Sequence, residues 1–303
     1  MTATLCAMNW RTLVTGNTFK LGDWDIIRIP EIVLELPPEV LIPDWNPSML
    51  DAEAAAILAP TYAANSKDLA VPVHSWLLKK TGCNILIDTG VGNGRDRKFA
   101  PFTDLQTDFL ERLRAAGVSP TDINYVLSTH LHTDHVGWNT LWDGSQWAPS
   151  FPNARYVWGK IEGAVVRRPF FHDGPAAGVY QDSIAPIIAA GLADEVDHGA
   201  FGAIEGIAFH STPGHSPGHM SISLCTDDGE AFFGGDVLHN QAQVFQPEWN
   251  SLFCEDPETA RRSRKWALGY AADHDVLFFG THIGGSSAGR VRRAGAGFTW
   301  IHK

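Results

Sequence analysis

The chain alternates short apolar runs of strand length with stretches whose apolar residues recur at helical spacing, which is the pattern of a mixed α/β protein. Leu105, Phe109, Leu110 and Leu113 fall on one helical face after Thr103 and Asp104, and Gly117 follows as a stop signal. A second helix is predicted from Pro257 to about Ala272, because Asp256 offers an N-cap oxygen and proline is tolerated in the first turn. A third spans Ser183 to Ala190. Strands are predicted at 84–88, 123–127, 207–209, 221–225, 231–233 and 276–279, with Asp228-Gly229 as a hairpin turn. Early hairpins over Trp24 to Leu36 and Val71 to Asp88 argue against a purely parallel, doubly wound sheet. No repeat and no Pro-rich or Gly/Ser linker divides the chain, so one domain over 1–303 is expected, with an insert near 37–62 read as a lid or a homodimer contact.

Composition narrows the partners. Of 303 residues, 44% are hydrophobic and 19% charged, an ordinary globular balance that excludes a disordered chain. Lys and Arg total 23 against 34 Asp and Glu, and the resulting formal charge of -11 repels phosphate backbones, so nucleic acid is not an expected partner. No apolar run is long enough to cross a bilayer, so no membrane partner is expected either. The first twenty residues lack the basic, apolar and small-residue pattern of a secretory signal, and a cytoplasmic location is the expectation. Cys6, Cys83, Cys225 and Cys254 are scattered, without a C-x-x-C pair, and read as buried small apolar residues. The chain also carries 13 His and 11 Trp, which this balance does not call for.

The polar clusters sit where apolar runs end: Asp88-Thr89-Gly90, Thr129-His130, Thr212-Pro213-Gly214-His215, Gly235-Asp236 and Thr281-His282. Strand ends in α/β sheets converge on one edge, so residues distant in sequence can meet there. Residues 129–135 read THLHTDH. Side chains two apart on extended backbone share a side, so His130 and His132 can grip one ion while Asp134 and His135 turn toward a neighbouring position. Imidazole and carboxylate donors without nearby thiolate suit Zn²⁺, Mn²⁺, Fe or Co rather than a structural thiolate zinc site.

These motifs carry a family resemblance. STHLHTDHVGWN, then TPGHSPGH at 212–219, FFGGD ending at Asp236, FFGTH ending at His282, and the earlier ILIDTG at 85–90 resemble the metallo-β-lactamase superfamily, in the family's order over about 200 residues. The resemblance implies an αβ/βα sandwich of two mixed sheets flanked by helices, with two divalent metal ions, Zn²⁺ in the first place, at one edge. It implies that His130, His132 and His215 bind the first metal, that Asp134, His135 and His282 bind the second, and that Asp236 bridges them. The C-terminal third is most similar to the methyl parathion hydrolase and lactonase branch. N-acyl homoserine lactonases typically carry Tyr three residues after the bridging Asp, whereas this chain has His239, and a homoserine-lactone assignment is weakened accordingly.

Two cations sharing an oxygen lower the pKa of the bridging water to about 7, so hydroxide is available for attack on a small ester or lactone, and on an organophosphate triester as well. Asp134 would orient this nucleophile while serving as a ligand. His239 has two readings: a donor to the leaving oxygen, or a histidine satisfied by backbone partners. Asp88 reads as a hydrogen-bonding brace of the metal loop and His219 as a brace of its own loop. His74, in an apolar strand, has a pocket-lining reading beside a core one; His172, His198, His210 and His274 read as surface or strand-edge residues. Trp138, Trp142, Trp147, Phe170, Phe171, Trp45, Met49 and Leu50 are candidates for apolar walls around an uncharged, hydrophobic small-molecule substrate, or for core. An iron-dependent sulfur dioxygenase of the same fold, with one metal, is the alternative. A nuclease is disfavoured by the acidic charge, a secreted β-lactamase by the missing signal, and a non-catalytic binding module is the remaining reading.

Overall fold

The computed structural model describes residues 4–5, 18–62, 67–168 and 177–303. Its first sheet runs in the order β1-β3-β4-β5-β6-β9-β10, formed by β1 (Thr4–Leu5), β3 (Trp24–Leu36), β4 (Leu69–Lys80), β5 (Cys83–Ile87), β6 (Tyr125–Leu127), β9 (Arg155–Gly159) and β10 (Ala193–Val196), with β2 (Thr18–Leu21) also paired to β3. Early pairs such as β4 with β5 are antiparallel; β5, β6, β9 and β10 run parallel. A small hairpin, β7 (Thr140–Trp142) and β8 (Trp147–Pro149), stands apart. The second sheet runs in sequence order through β11 (Gly199–Ala200), β12 (Ile207–Ser211), β13 (Met220–Thr226), β14 (Gly229–Phe233), β15 (Leu277–Phe279), β16 (Ala288–Ala294) and β17 (Gly297–His302). All its pairs are antiparallel except β14 with β15. Sheets and helices thus form the mixed α/β architecture expected.

Two compact units divide the described chain, one containing 7–32 and 73–197, the other 1–6, 33–72 and 198–303. Each has its own core. In the first, Ile27, Ile29, Leu77, Leu86 and Val126 from the strands pack with Phe109 and Leu113 of the helix Phe109–Ala115 and with Ile184 and Ile187. In the second, Phe232, Phe278, Val291 and Trp300 pack with Ala267, Leu268 and Ala271 of the helix Pro257–Asp273. Complete burial of each such side chain is worth about 1.5–3 kcal/mol, which holds the strand ends on a rigid base.

The helix Pro257–Asp273 starts where expected, Asp256 accepting from the amides of Glu258 and Thr259. The helix before Gly117 starts four residues later than Leu105. Residues 104–107 spend their backbone on the 93–95 loop instead: the Asp104 amide donates to the Arg95 carbonyl at 2.8 Å and the Thr107 amide to Asn93 Oδ1 at 2.8 Å. Trp24–Leu36 is not a hairpin but one 13-residue strand, whose hairpin partner is β2 across Gly22 and Asp23. Its residues contain no turn pair, and Gly22 at φ +56° supplies the reversal. The β13–β14 loop is Asp227-Asp228 rather than Asp228-Gly229, because Thr226 pairs with Gly229, which opens the return strand. The predicted helix 183–190 is a π turn, Tyr180–Ile184, continued by the helix Ala185–Ala189.

The 37–62 segment holds the helices Pro38–Leu41 and Ala52–Leu58 and packs within its own unit. The carbonyl of Ile57 contacts His302 Nε2 at 2.9 Å, and Gln246 donates to the carbonyl of Met49. Among the described residues, no helix is long and apolar enough to cross a membrane.

Candidate metal centre

The H-x-H-x-D-H residues lie in the first unit. After Leu127 the backbone leaves β6, and the His130 ring lies 4.5 Å from that of His132 and 4.0 Å from that of His135. His135 Nε2 is 3.9 Å from Asp134 Oδ1. His130 and His135 are buried; His132 and Asp134 are half-buried.

Asp88 organises this group. It follows β5 with φ +55°, a left-handed setting that aspartate tolerates and that turns its carboxylate onto the motif. Oδ1 accepts the Thr129 amide at 2.8 Å; Oδ2 accepts the Thr129 hydroxyl at 2.8 Å and contacts His135 Nδ1 at 2.9 Å. Because the Thr129 hydroxyl proton is committed to Asp88, its 3.1 Å contact with His130 Nδ1 requires that nitrogen to donate. Both imidazoles are thereby protonated on Nδ1, which leaves their Nε2 lone pairs for another partner, as a ligand histidine requires.

His215, Asp236 and His282 lie together in the second unit. The loop after β12 reaches its place because Gly214 lies against the helix Pro257–Asp273, where a Cβ would stand 2.1 Å from the Ala260 amide nitrogen. A short turn after β14 presents Asp236, and β15 runs out into His282. Asp236 Oδ2 lies 3.2 Å from His215 Nε2 and 3.3 Å from the Nε2 atoms of both His239 and His282. His282 Nδ1 donates to the carbonyl of Pro72 at 2.9 Å, so its Nε2 is a lone pair facing a carboxylate oxygen. Two acceptors so close repel unless a cation lies between them, and this donor set of buried imidazoles and a carboxylate fits a divalent ion. The donor atoms of His215, Asp236 and His239 all lie within 4.8 Å of one another.

His219 is placed as a brace: Nε2 accepts the Asp236 amide at 2.9 Å and Nδ1 donates to the Thr212 carbonyl at 3.1 Å, which uses both ring nitrogens. His239 is different. Its ring is buried and, among the described residues, Nδ1 makes no hydrogen bond, so backbone partners do not satisfy it. Burial pushes its pKa down, against the pull of the Asp236 carboxylate.

Other candidates lie elsewhere. His74 is buried in β4, edge-on to Trp76 at 5.1 Å. His198 and His274 are exposed and His210 is half-buried with its Nε2 on Ser223. Trp138 is core: it stacks on Phe109 at 5.4 Å and donates Nε1 to Glu31. Trp142 and Trp147 face each other on the β7–β8 hairpin, and Trp45 packs on Trp249. Phe170, Phe171, His172 and Cys6 lie outside the described residues; of the other cysteines Cys254 is buried as expected, whereas Cys83 is half-buried and Cys225, near the open end of β13, is exposed.

Three supports escaped the sequence reading. Glu31 is buried and accepts the Val91 and Gly92 amides and Trp138 Nε1; its one signal is a carboxylate inside an apolar strand. Burial raises its pKa while these donors pull it down. Glu162 Oε2 accepts the Leu131 amide at 3.1 Å, between the two histidines of the H-x-H pair. Arg264, buried in the helix Pro257–Asp273, donates to the Val237 carbonyl beside Asp236.

Fold and donor sets define a mixed α/β protein with clustered imidazole and carboxylate groups that could hold metal. Residues 69–282 match the metallo-beta-lactamase superfamily, and the chain belongs to it. Among relatives, an N-acyl homoserine lactonase of Bacillus thuringiensis is 27% identical over 239 residues, covering 74% of this chain and 87% of the relative. One from Bacillus cereus is 26% identical over 171 residues, or 52% of this chain and 60% of the relative. The solved hydrolase AbOPH superimposes with a TM-score of 0.79 at 24% identity, covering 94% of this chain and 96% of that one. The dizinc quorum-quenching lactonase AidC does so with 0.74 at 23% identity over the same shares.

Proposed function

We propose that this protein is a dinuclear zinc hydrolase that opens a small, hydrophobic lactone or cleaves a comparable ester. The observation that carries this reading is the His282 ring: its Nδ1 proton is committed to Pro72, and its Nε2 lone pair faces Asp236 at 3.3 Å. The relatives named as lactonases and the solved lactonase described as dizinc support the same class.

In this reading His130, His132 and His215 hold one ion, Asp134, His135 and His282 the other, and Asp236 serves both. The ions would supply Lewis acidity and a water acidic enough to ionise near pH 7. The chain's own residues do the rest. Asp88 and Pro72 hold the imidazole tautomers, and Asp134 orients the attacking oxygen. His239, buried beside Asp236, holds a proton at one ring nitrogen for the substrate carbonyl or leaving oxygen, where the related lactonases typically have Tyr. A phosphotriester meets the same requirements less directly and is a secondary substrate.

The test is metal analysis of the purified protein together with turnover of aryl esters, acyl lactones of graded chain length and phosphotriesters. Two zinc equivalents with lactone or ester turnover are expected. A single iron with oxygen consumption on persulfides would replace this reading with the dioxygenase.

A further inference from the structure

Next to the H-x-H-x-D-H motif, and in the same unit, lies a buried ionic network that no part of the proposed chemistry uses. Arg97, 4% exposed, donates Nε to the Thr133 hydroxyl at 2.7 Å. Its two terminal nitrogens grip the Asp182 carboxylate at 2.6 and 2.9 Å, and one also reaches the Asp96 carbonyl at 3.1 Å. Arg95, fully buried, meets the same carboxylate at 2.8 Å and donates to the carbonyls of Gly137 and Thr140. Ser183 donates to Asp182 as well, at 2.6 Å.

Taking these charges out of water is costly, so such a network is a poor way to gain stability alone. Its geometry is directional instead. Thr133 sits between His132 and Asp134, and the torsions of this residue aim the Asp134 carboxylate. A planar guanidinium with its donors committed fixes a hydroxyl far more tightly than a flexible ammonium would. Asp182, which fixes the guanidinium, lies in the π turn Tyr180–Ile184. Such turns are rare and are found frequently at functional sites. Gly178, at φ +88°, leaves the room: a Cβ there would stand 2.9 Å from Arg97 Nη1.

We infer that Arg97, clamped by Asp182, is a positioning residue that sets Asp134 through the Thr133 hydroxyl, and so tunes one of the two metal positions and not the other. The inference rests on the two-zinc reading. Supporting residues of this kind typically change metal affinity 10–100-fold.

The experiment is a zinc titration against a competing chelator for the wild type, Thr133→Val, Thr133→Ser and Arg97→Gln, with the thermal midpoint of each zinc-free form. Expected are two zinc equivalents in the wild type, a roughly 10–100-fold weakening of one in Thr133→Val, recovery in Thr133→Ser, and zinc-free midpoints that agree. Arg97→Gln should reproduce the loss and add little when combined with Thr133→Val. Unchanged affinities in Thr133→Val, equal weakness in Thr133→Ser, or a parallel loss of both zincs and of the zinc-free midpoint would overturn the inference. A wild type holding fewer than two equivalents would overturn the two-zinc reading itself, whatever the variants do.

Discussion

His282 is turned by Pro72. The histidine's Nδ1 proton goes to that proline's carbonyl at 2.9 Å, and proline, with no amide hydrogen of its own, stands in β4 as an acceptor only. His282→Ala removes a donor facing Asp236 and should strip one metal equivalent, lowering kcat/KM by two or more orders of magnitude. Elemental analysis beside steady-state rates checks this; an unchanged metal ratio would refute the dinuclear assignment.

Asp88 accepts three hydrogen bonds, and an amide in its place would turn a donor toward one of those groups. Asp88→Asn should therefore weaken metal binding about 10–100-fold without removing a proposed ligand. Competition with a chromophoric chelator measures the change.

Removal of metal should lower stability by mass action. A ligand present at 100 times its Kd stabilises by about 2.7 kcal/mol, so exhaustive chelation should depress the thermal midpoint by several degrees, and Zn²⁺ should restore it. Scanning calorimetry with and without chelator would show this; identical midpoints would contradict it.

Asp256 gives a pH signature away from the metal. Its pKa is lowered by hydrogen bonds from Thr259 and from the Glu258 amide. A depressed carboxylate pKa stabilises the fold above the ordinary aspartate value, and that stability is lost as pH falls through the lower folded value. Asp256→Asn, which still caps through its side-chain oxygen, should flatten the acid limb of a stability profile below about pH 4 relative to wild type.

Phe109 stacks on Trp138, which follows the metal loop and is tied to Glu31. Phe109→Ala should cost about 3–5 kcal/mol in denaturant unfolding, through the cavity it leaves. Chevron or equilibrium unfolding of the zinc-free protein would isolate this cost from metal binding.

Much of the architecture was legible in the chain. Asp256-Pro257 marked a helix start, and the strands before Asp88, His130, Asp236 and His282 ended where the polar clusters begin, because local periodicity and capping are properties of neighbouring residues. The errors were also local in origin. Apolar periodicity starts the helix at Leu105, ahead of Phe109, because it does not record that Asp104 and Thr107 bond to the Asn93–Arg95 loop upstream. The single strand Trp24–Leu36 was mistaken for a hairpin because its length exceeds the usual strand.

For the site, the sequence alone supplied the candidates: the spacing of His130, His132, Asp134 and His135 points to a metal, and the family resemblance adds His215, Asp236 and His282 as proposed ligands. Tertiary structure decided how those donors are held. Which nitrogen of His282 faces Asp236, how Asp88 meets Thr129 and His135, that Glu162 holds the Leu131 amide and that Arg97 meets the Thr133 hydroxyl all depend on hydrogen bonds between residues remote in sequence. Such bonds are written by backbone paths and not by composition, because a hydrogen bond needs a partner within about 3 Å in the right direction and local sequence fixes neither.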